Sequence, residues 1–388
     1  MRMRSHLWLA AALVAAASTL PAQQPTLRVT ITNELDRARP DETVELPLAS
    51  LAAVFRAEDL ARIRVTEAAS ARELLAQAID NDGDGAFDRF VFQAGFSPRE
   101  AMRFVLTLGE KRQLRKEDFR VYGRFVRERF DDFAWENDRV AHRVYGPALE
   151  TWEKEPLTSS GVDVWVKSTR ALVVNDWYMV DDYHRDRGEG GDFYSAGKSR
   201  GCGGSGIWND GRLFVSKNFR ASRVLANGPI RLVFELDYLP WDVGAGRVAE
   251  TKRVTLDAGS HFNRIESVYS GDAAAGLAWA AGIKKAAGAD VRVDRERGVL
   301  RTWEAFKEPN GHLGCAVVVD PSRIAAAAEA DGNVLLVGKI TVGQTVMYHA
   351  GSAWDKGGDV SGVADWDGLI DDFAQRLRSP LRIEILPR

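Results

Sequence analysis

Three runs within residues 230–270 indicate the fold most clearly: IRLVFELDYL at 230–239, KRVTLD at 252–257 and FNRIESVYS at 262–270. These runs alternate apolar and polar side chains or are rich in branched and aromatic residues, which is typical of β-strands. The same pattern recurs at 27–35, 42–51, 89–96, 102–109, 162–169, 211–219 and 333–342. Many strands separated by turn residues predict a mostly β protein made of sandwiches rather than a parallel α/β sheet.

Helical periodicity is scarce, and a charged stretch divides the strands into two groups. Short helices are expected at 69–79, 321–330 and 368–378. The charged stretch, GEKRQLRKEDFRVY, covers 109–122. We therefore predict a small N-terminal β-sandwich over residues 24–110 and a large two-sheet sandwich over residues 120–388.

The N-terminus has the pattern of a secretory signal peptide. Arg2 and Arg4 precede an apolar run that ends in the small residues of Leu20-Pro21-Ala22. The run is too short to span a bilayer. We expect residues 1–22 to be removed and the mature protein to be exported to the periplasm or secreted, without a membrane partner. The formal charge of −3 gives no electrostatic footprint for nucleic acid.

Two cysteines, Cys202 and Cys315, occur in the predicted mature chain. Export permits a disulfide between them, and two separate thiols are an equal alternative. Neither cysteine has a partner at zinc-ligand spacing, so a zinc site through them is not expected.

Residues 80–88, DNDGDGAFD, predict a structural calcium loop or a plain turn. The carboxylates stand at alternate positions and again at the ninth, which supplies several oxygens to a hard cation. Position twelve is Val91, so the bidentate carboxylate of a full EF-hand is missing. An Asp- and Gly-rich turn between two strands is the alternative. The predicted metal ligands are Asp80, Asp82, Asp84 and Asp88.

Residues 131–146, DDFAWENDRVAHRVYG, combine acids with an aromatic ring, as sugar-binding clefts do. In a helix, Asp131, Trp135, Asp138 and His142 would share one face. The alternative is an acidic turn with Trp135 in the core. The predicted substrate-binding residues of this segment are Trp135, Glu136, Asn137 and His142.

The segment from Tyr183 to Gly206 is the strongest candidate for a catalytic loop. It reads YHRDRGEGGDFYSAGKSRGCGGSG, which is dense in glycine and polar side chains and cannot build a core. His184 would move protons near neutral pH, and Tyr194 would donate one to a leaving oxygen. Arg200 or Lys198 would pair with a substrate carboxylate. The predicted catalytic residues are His184, Tyr194, Arg200, Glu189 and Asp192, and the predicted substrate-binding residues here are Tyr183 and Lys198.

Two further histidines, His261 and His349, are predicted to bind substrate from other loops on the same face of the sandwich. A nucleophile-elbow motif and a His-Glu-x-x-His zinc helix do not occur in the sequence. The glycine-rich segment lacks the Lys-Ser/Thr ending of a phosphate loop, so nucleotide binding is not supported.

The chain resembles the exported bacterial family known as domain of unknown function 4861. The resemblance rests on DNDGDGAFDRFVFQ, DDFAWENDRVAHRVYGPAL, VDVWVKST, LAWAAGIKK and the segment from Asp181 to Phe219, and it covers nearly the whole mature chain. It implies a galactose-mutarotase-like β-supersandwich, a carbohydrate ligand and an association with the use of pectin and other uronate-rich polysaccharides. It supplies no established set of catalytic residues.

The sequence therefore predicts an exported carbohydrate-active enzyme that acts on acidic, uronate-containing glycans, with β-elimination as the first reaction. Hydrolysis through Glu189 and Asp192 is one alternative, and sugar epimerisation is another. The remaining alternative is a carbohydrate-binding protein without catalytic activity, which would use Trp135, Trp354 and the calcium loop. No cofactor beyond structural calcium is expected, and the oligomeric state stays open.

Overall fold

The structure is a computed structural model that describes residues 24–154, 156–272, 276–340 and 343–386. The signal peptide predicted at residues 1–22 lies outside these ranges. Strands dominate the described residues, so the expected mostly β architecture is confirmed. Within the same ranges, no helix has the length and apolar character needed to cross a membrane.

A small two-sheet sandwich forms the N-terminal part. Its elements are β1 (Thr26–Thr32), β2 (Arg39–Pro47), α1 (Leu48–Leu51), β3 (Ile63–Glu67), β4 (Glu73–Leu74), β5 (Ala76–Ile79), β6 (Arg89–Phe96) and β7 (Ala101–Leu108). The strand orders are β1-β7-β3-β4 in one sheet and β2-β6-β5 in the other. Phe92 and Phe104 meet edge to face in the core, with ring centres 5.1 Å apart.

The large sandwich begins with a five-stranded sheet, which we call the site sheet. Its strands are β8 (Val121–Val126), β9 (Asp132–Asn137), β10 (Ala141–Val144), β11 (Asp163–Lys167) and β12 (Gly190–Gly191), in the order β12-β11-β10-β9-β8. The helix α2 (Val174–Val180) follows β11 and covers the outer face of this sheet.

Two more sheets complete the large sandwich. Their strands are β13 (Cys202–Asn209), β14 (Arg212–Phe214), β15 (Ala221–Asn227), β16 (Arg231–Asp242), β17 (Arg247–Asp257), β18 (Phe262–Gly271), β19 (Ala278–Lys284), β20 (Asp290–Asp294), β21 (Val299–Ala305), β22 (His312–Val318), β23 (Ala326–Ala330), β24 (Asn333–Lys339) and β25 (Thr345–Trp354). The second five-stranded sheet has the order β14-β13-β19-β24-β23, and the eight-stranded sheet has the order β15-β16-β17-β18-β25-β22-β21-β20.

One core lies between the eight-stranded sheet and both five-stranded sheets. Phe133 of the site sheet stacks on Phe234 with ring centres 4.3 Å apart, and Trp279 of the second five-stranded sheet is parallel to Tyr348. The two five-stranded sheets are joined by a hydrogen bond from Cys202 N to the Val162 carbonyl, 2.9 Å long. The expected supersandwich following a small sandwich is thereby confirmed.

The C-terminal segment ties the two sandwiches together. Helix α3 (Val363–Arg378) packs on the outer face of the eight-stranded sheet, where a Cβ at Gly314 would lie only 2.5 Å from Trp366 Nε1. This helix confirms the prediction at 368–378. The last strand, β26 (Arg382–Leu386), pairs with β1, so the end of the chain belongs to the first sandwich.

The other two helix predictions were wrong. Residues 69–79 form a turn, β4 and β5, and residues 321–330 form a single 3-10 turn followed by β23. Ala326, Ala328 and Ala330 pack against the buried cluster of Ala280, Leu335 and Val337, so pairing with β24 and this apolar contact override the helix propensity of alanine.

Candidate functional site

The outer face of the site sheet carries buried charged residues. Side chains alternate along each strand, so Phe133 and Val164 enter the main core while Ala134 and Trp165 point to the opposite side. The side chains of Asp132, Arg143 and Asp163 point to the same outer side as Ala134 and Trp165, and all three are buried.

The segment 131–146 is the hairpin of β9 and β10 and not a helix. Trp135 and His142 therefore face the core, and the single helical face considered for this segment does not exist. Phe133 and Trp135 alternate with Asp132, Ala134 and Glu136, which is the period of a strand, and the facing sheet supplies the core that the two rings need.

Arg143 is the centre of a group of three aspartates. Its Nε donates to Asp163 Oδ2 over 2.8 Å, and its Nη2 donates to Asp192 Oδ2 over 3.0 Å. Its Nη1 lies 3.8 Å from Asp132 Oδ2. We call this group, with the cavity above it, the Arg143 pocket. One guanidinium cannot fully compensate three buried carboxylates, so protonation of one of them is favoured.

The two outer aspartates of the group have separated pKa values. Burial raises the pKa of Asp192 to about 8, against the attraction of Arg143 and with the help of the Asp163 charge. Burial raises the pKa of Asp132 to about 6, against the attraction of Arg143 and a hydrogen bond from Gly146 N. Asp192 is therefore mainly protonated at neutral pH, whereas Asp132 is mainly ionised.

The glycine-rich loop closes over this face and delivers Asp192. Gly190 and Gly191 form β12 and pair with Lys167 and Val166 of β11. Gly190 has a φ of 109°, and a Cβ there would lie 2.0 Å from the Val166 carbonyl oxygen. Only glycine permits this approach, and Asp192 follows directly beside Arg143.

A cavity of about 270 Å³ opens above the carboxylates. This volume is near the lower end of the roughly 300–1,000 Å³ typical of ligand pockets. The Tyr194 hydroxyl is buried and has no hydrogen-bond partner among the described residues, and burial raises the pKa of this phenol well above its usual value. His184 is exposed, with Nδ1 3.2 Å from the Asp192 carbonyl oxygen. The cavity is lined by Arg129, Asp132, Arg143, Tyr145, Leu149, Leu157, Asp163, His184, Asp192, Phe193, Tyr194, Ser195, Ala196 and Gly197.

The turn that leads into Asp132 is strained. Phe130 and Asp131 have φ angles of 52° and 62°, which non-glycine residues rarely adopt. Gly146 packs against this turn, and a Cβ at that position would lie 1.9 Å from the Asp131 carbonyl oxygen. This strained turn lies at the edge of the cavity, and its close packing against Gly146 sets the backbone position of Asp132.

Four predicted site residues are brought together at this pocket. His184, Asp192 and Tyr194 line the cavity, and Tyr183 supports it from beneath. The Tyr183 hydroxyl accepts a hydrogen bond of 2.6 Å from Arg129 Nε, and its ring stacks on Trp165.

The other three predicted residues of the loop lie elsewhere. Glu189 is exposed and accepts a hydrogen bond of 3.3 Å from Trp177 Nε1. Lys198 is exposed on a turn beyond the cavity lining. Arg200 is 1% exposed and extends into the interior, where Nη1 donates to Ser205 O and Ser160 Oγ.

The substrate-binding residues predicted in 131–146 are inaccessible. Trp135 Nε1 donates to Asn263 Oδ1, and the same amide lies 3.1 Å from His142 Nε2. Glu136 is fully buried with Lys167, whose Nζ is 2.7 Å away, and Asn137 is fully buried and hydrogen-bonded to backbone. Their polar groups are used inside the protein, which leaves them no surface for a sugar.

His261 and His349 do not reach the Arg143 pocket. His261 Nε2 is 3.1 Å from Asp359 Oδ2 at a cavity of about 620 Å³ between the N-terminal sandwich and α3. His349 is buried edge-on to Phe373, and burial lowers its pKa to about 3. The larger cavity offers less acid–base chemistry, because Asp359 is already paired with Arg139 and Arg170.

The predicted calcium loop brings three of its four carboxylates together. Ligand oxygens of Asp80, Asp82 and Asp84 lie within 4.8 Å of one another, and Asp88 is outside this group. Asp80 accepts backbone hydrogen bonds within the loop, including one of 2.8 Å from Gly85 N. This geometry suits both a cation and the alternative turn.

Five residues of the pocket were not among the predicted site residues: Arg143, Asp163, Asp132, Arg129 and Tyr145. A usable signal was present in VDVWVKST, because Asp163 interrupts an apolar strand and a buried carboxylate needs a partner. In a helix, residues 131–146 would not place Arg143 opposite Asp163, whereas the paired strands β10 and β11 do.

The two cysteines, Cys202 and Cys315, are both buried as free thiols, and Cys202 Sγ donates to Gly351 O over 3.1 Å.

The chain belongs to the family described as domain of unknown function (DUF4861), whose model matches residues 31–383. It is 30% identical over 372 residues to the uncharacterized protein P7 of Formosa agariphila, a match that covers 92% of this chain and 93% of that protein.

Two solved structures from Enterococcus faecalis share the fold. An α-mannosidase superposes with a TM-score of 0.53 at 10% identity, covering 95% of this chain and 46% of that one. A protein of glycosyl hydrolase family 38 superposes with a TM-score of 0.51 at 9% identity, covering 94% of this chain and 48% of that one. The chain thus spans about half the length of these structures.

Proposed function

We propose that the protein is a carbohydrate-active enzyme that hydrolyses a glycosidic bond in the Arg143 pocket. One observation carries the proposal: two carboxyl groups on one guanidinium have pKa values separated by their surroundings, about 8 for Asp192 and about 6 for Asp132. Pairs of acids with separated pKa values are the usual acid and base of such enzymes. The α-mannosidase fold agrees with a carbohydrate substrate at the level of fold.

Each acid has a definite role in this reaction. Protonated Asp192 gives its proton to the departing glycosidic oxygen, and ionised Asp132 takes a proton from the water that attacks the anomeric carbon. One C–O bond breaks and one water is consumed. Since both carboxylates contact Arg143, their oxygens are closer than the upper limit of about 9.5 Å for inverting glycosidases.

The cavity restricts the part of a glycan that enters it. A volume of about 270 Å³ suits one sugar residue rather than a long chain. Phe193 lines the cavity and is only half-buried, so its ring offers an apolar surface to the sugar. We therefore propose short oligosaccharides or chain ends as the substrates.

β-Elimination on a uronate is the second candidate, and Arg129 favours it. Arg129 lines the cavity and has no carboxylate within 4.0 Å among the described residues, so it would hold a substrate carboxylate. His184 would remove the proton next to that carboxylate, and Tyr194 would protonate the leaving oxygen. Arg129 takes the role expected of Arg200 and Lys198, which lie away from the cavity.

A purely sugar-binding protein has less support. The rings assigned to stacking in that alternative belong to Trp135 and Trp354, which are 1% and 5% exposed. Buried rings of this kind stabilise the core and cannot stack on a glycan.

The test compares two variants of carboxylates from the same loop. Wild type, Asp192→Asn and Glu189→Gln are incubated with neutral and uronate-containing oligosaccharides, and reducing ends and ultraviolet absorbance are followed. We expect new reducing ends without a new chromophore, and a loss of about 10²–10⁴ in kcat for Asp192→Asn, the range for one acid–base group. Glu189→Gln should retain activity, because Glu189 lies outside the cavity.

Three outcomes decide between the candidates. An unsaturated chromophore with every cleavage would assign elimination instead of hydrolysis. Equal activity of Asp192→Asn and wild type would remove the Arg143 pocket as the site. Tight binding of oligosaccharides without any turnover would show that the protein binds carbohydrates and is not a carbohydrate-active enzyme on these substrates.

We also propose that the protein is exported, on the basis of residues 1–22 alone. Expression of the full chain in a bacterium, followed by fractionation and N-terminal sequencing, tests this. A mature N-terminus near residue 23 in the exported fraction is expected, and an intact Met1 in the cytoplasm would contradict it.

A further inference from the structure

A second group of polar residues is buried between the eight-stranded sheet and the second five-stranded sheet. We call it the interior polar cluster. Its members are all at most 3% exposed, and they combine two cations, one acid and five hydroxyls. They are Arg200, Ser205, Tyr238, Glu250, Lys252, Ser267, Tyr269 and Tyr348.

Strand register assembles most of this cluster. Glu250 of β17 lies directly opposite Tyr238 of β16 and Tyr269 of β18, and Lys252 lies opposite Ser267. Residues opposite one another share a face of the sheet, so these side chains form two adjacent rows. Ser205 reaches the rows from the facing sheet and donates to Glu250 Oε1 over 3.0 Å.

The cluster contains two basic side chains and one acid, Glu250. Burial lowers the pKa of Lys252, and this is opposed by Glu250 Oε1, 3.6 Å from Lys252 Nζ, and by the Tyr238 ring, whose centre is 5.1 Å away. Arg200 has no carboxylate within 4.0 Å among the described residues. Burial lowers the pKa of Arg200 to about 10, which still leaves it protonated at neutral pH.

The cluster also contains donors that are not used. Arg200 Nη2, Tyr238 OH, Ser267 Oγ and Tyr269 OH are buried without a hydrogen-bond partner in the described part of the chain. Ser205 and Ser267 are neighbours of the Tyr269 hydroxyl but do not reach hydrogen-bond geometry with it. Burial raises the pKa of Tyr238 and Tyr269 well above the usual value, so neither becomes a phenolate that would balance Arg200.

We propose that the interior polar cluster binds a small monovalent anion, of the size of chloride, beside Arg200. A buried cation without a carboxylate at ion-pair distance is costly, and unused buried donors add to that cost. Water would satisfy donors but would supply no charge, whereas a halide ion would both accept hydrogen bonds from N–H and O–H donors and neutralise the guanidinium. The site is separate from the Arg143 pocket and does not depend on the proposed reaction.

The test uses chloride itself and a matched pair of variants. Thermal unfolding is measured with chloride replaced stepwise by methanesulfonate at constant ionic strength. We expect Tm to rise by about 2 °C for each tenfold increase in chloride above its dissociation constant. A Ser267→Ala/Tyr269→Phe variant loses two unused donors and should lose most of this rise.

Tyr348→Phe is the control. Its hydroxyl belongs to the same cluster but already donates to Gly203 O over 2.8 Å, so this variant should be less stable yet keep the chloride response. General salt effects on stability act on both variants alike. Crystals grown in bromide should show an anomalous peak beside Arg200. A Tm that does not depend on chloride, equal responses of the two variants, or water alone beside Arg200 would overturn the proposal.

Discussion

Arg143 lies directly opposite Asp163 on the neighbouring strand, and its Nε donates to Asp163 Oδ2 over 2.8 Å. This cross-strand pair consumes one edge of the guanidinium and directs the two remaining nitrogens to Asp132 and Asp192. The register of β10 and β11 therefore decides which carboxylates share one cation. The same register places the carboxylates beneath the cavity, where the Arg143 charge is not enough to keep Asp192 ionised at neutral pH.

The pH dependence of activity should be bell-shaped. The base Asp132 must be ionised, so kcat/KM should rise with pH through about 6, and the acid Asp192 must be protonated, so it should fall through about 8. The profile of kcat/KM with a short oligosaccharide measures both limits. An optimum below pH 5 or above pH 9 would contradict these roles.

Asp192→Asn should change how stability depends on pH. The folded pKa of Asp192 is raised above that of the unfolded chain, so its contribution to stability is complete below pH 4 and is lost as pH rises towards 8. The amide side chain of the variant does not titrate, so the variant does not lose this stability as pH rises. At pH 9 the variant should gain at least about 1 kcal/mol relative to wild type, the value of one pKa unit, compared with the difference at pH 5.

Urea unfolding at the two pH values measures this change. Asp36→Asn, on an exposed loop, is the control and should alter stability equally at both. A constant difference between Asp192→Asn and wild type from pH 5 to pH 9 would refute the raised pKa.

Gly146→Ala should disturb the turn that carries Asp132. The added Cβ would lie 1.9 Å from the Asp131 carbonyl oxygen, which the strained turn can relieve only by moving. We expect a loss of about 2 kcal/mol or more in the free energy of unfolding, together with lower activity.

A glycine with free space around it provides the comparison. Gly368 lies on an exposed turn of α3, and a Cβ added there would have no neighbouring atom within 4 Å, so Gly368→Ala should stabilise by about 1 kcal/mol. Denaturant unfolding of both variants measures these changes in the free energy of unfolding. A neutral Gly146→Ala would show that the turn is free to shift.

Glu136→Ala should destabilise the protein without a specific effect on substrate affinity. Glu136 binds Lys167 and the backbone N–H groups of Val173 and Val174 at the start of α2, and the pair is fully buried. Removing one partner leaves a buried charge, which costs about 3–5 kcal/mol. A Glu136→Gln/Lys167→Met variant should lose less. A raised KM with unchanged stability would restore Glu136 as a substrate-binding residue.

Chelation should show whether the aspartate loop holds calcium. If Asp80, Asp82 and Asp84 bind the ion in the folded state, EDTA lowers Tm and added calcium restores it. Asp84→Asn should weaken this response and Asp88→Asn should retain it, because Asp88 lies outside the group of three. Equal Tm values with EDTA and with calcium would assign the loop as a plain turn.

The strands were predictable because period-2 alternation is local, as in residues 230–239 and 252–257, which form parts of β16 and β17. The Ala-rich run at 326–330 was not predictable as a strand, because its pairing with β24 and its packing against Ala280, Leu335 and Val337 depend on residues outside the run. Likewise, His184, Asp192 and Tyr194 were identifiable from the polar loop. Arg200 was not distinguishable from them by composition, although it enters the core.

Spacing and composition over short distances were enough to specify the β architecture, the glycine-rich loop and the reactive residue types within it. Which of those residues meet depends on contacts between distant parts of the folded chain. Arg143 and Asp163 are joined by register, and Asp192 reaches them because Gly190 allows the loop to approach β11. Burial then raised the pKa values of Asp132 and Asp192, since desolvation depends on everything packed around a carboxyl group and not on its neighbours in the chain.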